Sequence, residues 1–351
     1  MNRRSLAIAV SVPLLVGLWV AAAVIPVPYV TYAPGLTVDV LAESSGQERI
    51  QIDGHRSFHD AEAGELRMTT VSVTPPRKRI NLFTAMGAWL DGEQSVEPYG
   101  AVYDDEETPE DNDVQSAVSM LSSQDTAVAA ALRELGHELT PTVEVYSVTS
   151  GAPADGVFEV RDRILRIDGE PITEPQQVVD AVTAKEVGES LTFVVVRDGR
   201  RIRREVAPAD VDGRKLIGIW PGSGYLFPFD VTININPEIG GPSAGLMFSL
   251  AIYDILTPGP LTGGRSVAGT GTIDPDGNVG AIGGIQQKIV GARESGSGLF
   301  LVPAANCRDA VGAPHGDMRV IRVATLGEAR EAVEAFAADP AADLPTCEDA
   351  G

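Results

Sequence analysis

Residues 236–256 read NPEIGGPSAGLMFSLAIYDIL. The preceding Val231-Thr232-Ile233-Asn234-Ile235 alternates apolar and polar residues, which predicts a strand. Asn236 to Gly241 then reads as a loop. Pro242 fits the first position of a helix, where a missing N–H costs nothing. Leu246, Met247, Leu250, Ala251 and Ile255 form its apolar stripe, and Pro258-Gly259 stops it. This strand–loop–helix places Ser243 at a helix N-terminus, beside unpaired N–H groups and the positive dipole end. Such groups stabilise an oxyanion. A serine that only caps its helix would sit there equally well, and this segment alone leaves both readings open.

Further on, Gly283-Gly284 precedes a helix with Ile285, Lys288, Ile289 and Ala292 on one face. A lysine inside an apolar stripe either snorkels to solvent or is buried. Lowering its pKa from about 10.4 to about 7 by burial costs roughly 4–5 kcal/mol, which proteins seldom carry without use. Between the two helices lie Thr270-Gly271-Thr272-Ile273 and Gly277-Asn278-Val279-Gly280-Ala281-Ile282.

With Gly241-Pro242-Ser243-Ala244-Gly245 and Gly283-Gly284-Ile285-Gln286-Gln287-Lys288, these runs resemble the proteolytic domain of Lon-type proteases, over about 225–338. The resemblance implies a Ser–Lys dyad: Ser243 the nucleophile, Lys288 the general base, Thr270 a hydroxyl positioning the lysine. It also implies an oxyanion site from the Gly241 and Ser243 backbone, with no metal and no cofactor. The acid that the family carries three residues before the serine is Gly240 here; its role is absent or moved to Glu238.

Residues 142–208 form a second unit. Strands are expected at Val143–Val148, Arg163–Ile167 and Leu191–Arg197, with a helix at Pro175–Ala184. Ser150-Gly151-Ala152-Pro153-Ala154 and Asp162-Arg163-Ile164-Leu165-Arg166-Ile167-Asp168-Gly169 resemble a PDZ domain. PDZ domains bind extended peptides by adding a strand to a sheet edge. Arg161 stands where a glycine is usual, and no clear carboxylate-binding loop precedes Val143. Strand addition is therefore expected in preference to capture of a free C-terminus.

Leu6 to Ile25 is apolar apart from Ser11, and twenty helical residues span about 30 Å, one hydrocarbon core. Arg3 and Arg4 precede it and no basic residue follows until Arg49, which puts the N-terminus in the cytoplasm. A retained anchor is favoured over a signal peptide because signal h-regions are shorter. Either way the rest is extracytoplasmic. There a Cys307–Cys347 disulfide can persist, with two unpaired thiols as the alternative.

Of 351 residues, 44% are hydrophobic, which excludes wholesale disorder, and the net charge of −22 argues against a nucleic-acid partner. The chain has no C-x-x-C, no H-E-x-x-H and no P-loop, which removes zinc ribbons, zincins and nucleotide motors. His55 and His59 lie in an Asp-Gly turn and do not read as a metal site.

The expected architecture is α+β and multidomain. A cytoplasmic tip and transmembrane anchor (1–30) precede an α/β segment packing on the catalytic domain (31–141). The PDZ-like β domain (142–208), the Lon-type α/β proteolytic domain (225–338) and a loose acidic tail (339–351) follow. Residues 34–100 read as strands and turns, the acidic run Asp104–Asp113 as a solvated loop, Val114–Leu135 and Leu326–Ala338 as helices. The expected function is an ATP-independent serine endopeptidase. It would act on extracytoplasmic or membrane-associated polypeptides presented by the PDZ unit, with lipid held by the N-terminal helix and homo-oligomerisation open. Two rivals are a catalytically silent PDZ scaffold and an esterase, since Gly241-x-Ser243-x-Gly245 also fits a nucleophile elbow with His315 as its only later histidine.

Overall fold

The computed structural model describes residues 3–348 apart from 45, 60–63, 105 and 212. The chain starts with helix α1 (Arg3–Val24), strands β1 (Tyr29–Asp39), β2 (Ile50–Asp53) and β3 (Glu65–Val73), helix α2 (Leu82–Leu90), strand β4 (Ser95–Pro98) and helix α3 (Pro109–Glu134). Strands β5 (Thr140–Val148) and β6 (Arg163–Ile167), helix α4 (Pro175–Ala184) and strands β7 (Leu191–Arg197), β8 (Arg200–Val206) and β9 (Ile219–Leu226) come next. The last third holds β10 (Asp230–Ile233), α5 (Gly245–Leu256), β11 (Ser266–Gly269), α6 (Ile285–Glu294), β12 (Leu299–Pro303), β13 (Arg319–Val323) and α7 (Leu326–Ala338).

One sheet runs β13-β12-β11-β3-β1-β4. Its β3, β11, β12 and β13 are parallel neighbours, while β1 pairs antiparallel with both β3 and β4. The all-apolar Leu299-Phe300-Leu301-Val302 explains why β12 is central, since a strand covered on both faces needs no polar alternation. Leu299 and Leu301 join the core containing Leu246, Met247 and Leu250 of α5. Phe300 and Val302 join the one containing Ile285 and Ile289 of α6. The period of two thus sets α5 and α6 on opposite faces of the sheet. Residues 31–141 do not merely pack on this domain: they supply β1, β3 and β4 to its sheet.

The second sheet runs β8-β7-β6-β5-β9 and encloses Val143, Val145, Ile164 and Phe193 together with Val178 and Val182 of α4. It extends past residue 208. Strand β9 pairs antiparallel along β5, from Ile219 opposite Val148 to Leu226 opposite Thr140. The β5 edge is therefore filled by the chain itself, and β9 becomes the edge strand of this sheet. Ile217, just before β9, is buried in the same core as Val178 and Val182. A Cβ on Gly222 would stand 2.1 Å from the Tyr146 ring, so only glycine lets β9 approach β5 here. Proline and glycines break the alternation of Ile219–Leu226, which hides this strand in the sequence.

Arg161, the departure from the PDZ pattern, has φ 74°, a left-handed conformation unusual for a residue with a Cβ. Its guanidinium pairs with Asp125 of α3, and Asp125 also accepts the Tyr146 hydroxyl at 2.8 Å. Burial raises the Asp125 pKa and the Arg161 charge opposes that rise. This cluster, with Asp125 and Tyr146 buried and Arg161 at its rim, fastens the PDZ unit to α3.

Three other expectations change. The second half of the acidic run is helical: Thr108 caps α3, accepting from the Asp111 amide at 3.1 Å while the Asp111 carboxylate accepts from the Thr108 amide at 3.2 Å. Carboxylates in a first helical turn meet the positive end of the dipole. A helix, α2, lies within the stretch read as strands and turns. The tail is held as far as Cys347, which forms a disulfide with Cys307; Leu344 is buried, and the Arg322 amide donates to the Pro345 carbonyl at 2.9 Å. Residues 349–351 lie outside the described residues. Helix α1 is exposed from Ala7 to Val24 and is long and apolar enough to cross a membrane.

Candidate active site

Two helices, two strands and the loop before α5 converge on a cavity of about 370 Å³ bordered by Tyr32, Met68, Met120, Glu238, Ser243 and Lys288. Lys288 projects from the face of α6 that carries Ile285, Ile289 and Ala292, all buried. It is 2% exposed, so it does not snorkel. Its Nζ donates to the Thr69 carbonyl of β3 at 2.7 Å and lies 2.8 Å from Ser243 Oγ. Removal from water lowers its pKa to about 7, because desolvation disfavours the ammonium form.

Ser243 sits one step outside the helix it was expected to start. Helix α5 begins at Gly245 with Ala244 as its N-cap, and Pro242 belongs to the preceding turn. The serine hydroxyl makes no cap bond and faces the amine. Its carbonyl is pinned twice, by the Thr270 hydroxyl at 3.0 Å and the Gly271 amide at 2.9 Å. Thr270 was expected at the lysine; its bond goes to the serine backbone, and the Thr69 carbonyl takes the lysine's second contact.

The loop before the serine is fastened to α3. Ser123 Oγ donates to the Pro242 carbonyl at 3.0 Å, and the Gly241 amide donates to the Ser116 carbonyl at 3.1 Å. The Gly241 N–H, expected to face an oxyanion, is therefore engaged in this conformation. The Ser243 and Ala244 amides make no hydrogen bond among the described residues, as an oxyanion site requires. A Cβ at position 240 would lie 2.5 Å from Ser116 Cβ, which leaves no room for an acid there. Glu238 borders the cavity, accepting from Asn236 Nδ2 at 3.3 Å. His315 turns its Nδ1 toward the Met318 carbonyl at 2.8 Å and does not line the serine's cavity, so the esterase arrangement is not formed.

Sequence reasoning passed over Thr69, Ser116 and Tyr32. The first two act through backbone carbonyls, which no side-chain pattern reveals.

Residues 236–335 match the C-terminal proteolytic domain of Lon proteases, and residues 104–207 match the PDZ domain. Lon protease 2 of Herpetosiphon aurantiacus is 37% identical over 116 residues, which is 32% of this chain and 14% of that protein. The Lon protease of Mesomycoplasma hyopneumoniae is 38% identical over 105 residues, covering 28% of this chain and 12% of the relative. The matches thus span only about an eighth of these relatives. The PDZ domain of an SdrC-like protein from Listeria monocytogenes superimposes with a TM-score of 0.21 at 28% identity, over 22% of this chain and 83% of that one. The chain joins a PDZ domain to the C-terminal proteolytic domain of Lon proteases, a serine-type peptidase domain.

Proposed function

We propose that the protein is an ATP-independent serine endopeptidase, anchored by α1, that cleaves extracytoplasmic or membrane-associated polypeptides. The observation that carries this reading is a buried amine 2.8 Å from a serine hydroxyl, with its pKa lowered to about 7. Near neutral pH much of that amine is uncharged and its lone pair faces the hydroxyl.

In the first step Lys288 takes the Ser243 proton while Oγ bonds to the peptide carbonyl carbon and the carbonyl π pair moves onto oxygen. The Ser243 and Ala244 amides hold that oxyanion. Collapse breaks the C–N bond, and the Lys288 ammonium returns its proton to the leaving amine. Lys288 then deprotonates a water, which releases the acyl group and restores the serine. Thr270 keeps the serine backbone in place throughout, and Thr69 holds the amine.

The Cys307–Cys347 disulfide supports an extracytoplasmic catalytic domain, since such bonds persist in oxidising compartments. With Arg3 and Arg4 at the N-terminal end of α1, the N-terminus is cytoplasmic. We assign the PDZ unit to residues 140–226, inserted between the two halves of the proteolytic domain, where it would present substrate.

A fluorophosphonate probe on the full-length protein, paired with cleavage of an unfolded polypeptide, tests the reading. Labelling at Ser243 and cleavage are expected in the wild type, and loss of both in Ser243→Ala and of cleavage in Lys288→Ala. Cleavage that survives either substitution overturns the dyad, and a folded wild type without labelling or cleavage favours a silent scaffold.

A further inference from the structure

Helix α2 buries Ala85 and Ala88 and turns Leu82, Phe83, Met86, Trp89 and Leu90 outward. Trp89 and Leu90 are 74% and 72% exposed. At 100° per residue these five side chains form one continuous face, with Ala88 opposite it and Ala85 at its margin. Solvent-facing tryptophan, phenylalanine and leucine on one short helix are an uncompensated apolar patch.

The patch continues an apolar surface. The Phe83 ring lies 4.8 Å from the Trp19 ring, in the last turns of α1. The residues just before α2 are Arg77, Lys78 and Arg79, all exposed, a cationic cluster in a chain of net charge −22. Arg77 is held with φ 62°, its amide donating to the Tyr99 hydroxyl at 3.0 Å and its guanidinium to the Glu106 and Glu107 carbonyls at 3.0 and 3.2 Å, which leaves Lys78 and Arg79 as the outward cations. Arg77 and Arg79 border a cavity of about 520 Å³ with Val27, Pro28, Tyr29 and Tyr99, at the point where the chain leaves α1. Apolar side chains, interfacial aromatics and guanidiniums thus occur together, in the combination that an anionic bilayer surface accepts.

We propose that α2 is a second membrane contact, lying in the headgroup–acyl boundary of an anionic bilayer with Lys78 and Arg79 on lipid phosphates. The proposal rests on α1 being a membrane anchor. Its consequence is positional. Tyr32 borders the catalytic cavity only three residues after Tyr29, roughly 10 Å along an extended strand. A body held by both α1 and α2 keeps that cavity close to the membrane, within reach of juxtamembrane segments.

The test uses full-length protein reconstituted in phosphatidylcholine–phosphatidylglycerol vesicles carrying bromine near the top of the acyl chains. The chain has three tryptophans, so Trp19→Phe/Trp220→Phe leaves Trp89 as reporter and Trp89→Phe/Trp220→Phe leaves Trp19. Brominated lipid is expected to quench Trp89 by about twofold or more, with little quenching by aqueous iodide. Adding Lys78→Glu/Arg79→Glu is expected to weaken the Trp89 quenching in anionic vesicles and not in pure phosphatidylcholine. Trp89 open to iodide and indifferent to bromine, beside a quenched Trp19, overturns the second contact alone. Unquenched Trp19 overturns the anchor itself. Equal quenching with and without the charge reversal overturns the role of the basic cluster.

Discussion

The Cβ that Gly240 lacks would stand 2.5 Å from Ser116 Cβ, closer than real Cβ contacts come. The loop before Ser243 is therefore seated on α3 at the position where the resemblance to Lon-type proteases leads one to expect an acid. Packing against α3 and an acid at this site exclude each other.

Placing an acid at position 240 should harm the enzyme. Gly240→Asp is expected to displace the loop from α3 and lower kcat by about tenfold or more, a loss near 1.4 kcal/mol of transition-state stabilisation. Adding Ser116→Gly removes the clashing atoms and should recover part of the rate. Steady-state cleavage by the single and double variants measures this; a fully active Gly240→Asp would contradict the packing argument.

The pH dependence follows from the amine. The base works neutral, and burial lowers its pKa to about 7. Cleavage should rise through pH about 7 and level off above it, falling about tenfold per unit on the acid side. Lys288→Arg, which stays protonated, should be inactive throughout. A pH–kcat/KM profile flat from pH 5 to 9 would rule out Lys288 as the titrating base.

The same shift carries a stability cost. A lysine whose folded pKa lies below its unfolded value binds protons less readily when folded. The penalty is full below about pH 7 and fades as pH approaches 10.5, so this group makes the fold more stable as pH rises. Lys288→Met lacks the term. Its stability relative to wild type should therefore fall by about 4 kcal/mol between pH 6 and pH 10. Denaturant unfolding of both proteins at the two pH values checks the sign, and a pH-independent difference would mean the amine is not desolvated.

Strand β9 occupies the β5 edge, so the edge should resist peptides until β9 leaves. A fluorescent peptide of residues 215–227 is expected to bind wild type weakly. It should bind Gly222→Val, whose new side chain meets the Tyr146 ring, about tenfold more tightly. Anisotropy titration reads the ratio. Equal affinity for both proteins would show that β9 does not block this edge.

Much of this was legible in residue order. The apolar stripe around Lys288 singled out the amine, because a period of 3.6 puts Ile285, Ile289 and Ala292 on its face, but left burial and snorkelling both open until the fold buried it. The α5 stripe and the extended run before it marked Ser243. Helix α7 was readable from its amphipathic pattern. The start of α3 was not, since the acids of its first turn look like loop residues until Thr108 is seen to cap them. Helix α2 was passed over although Leu82, Phe83, Met86, Trp89 and Leu90 recur at helical spacing, since its nine residues lie within a stretch read as strands and turns.

Sequence by itself determined the candidate side chains Ser243 and Lys288 and the helices and strands with a clear period, since identity and periodicity are local properties. Tertiary structure alone decided that β3 lends the Thr69 carbonyl to the lysine, that Ser116 takes the Gly241 amide, and that β9 covers the β5 edge. Each of these depends on backbone groups brought together across long stretches of chain, and a backbone N–H or C=O is the same at almost every residue until the fold gives it a partner.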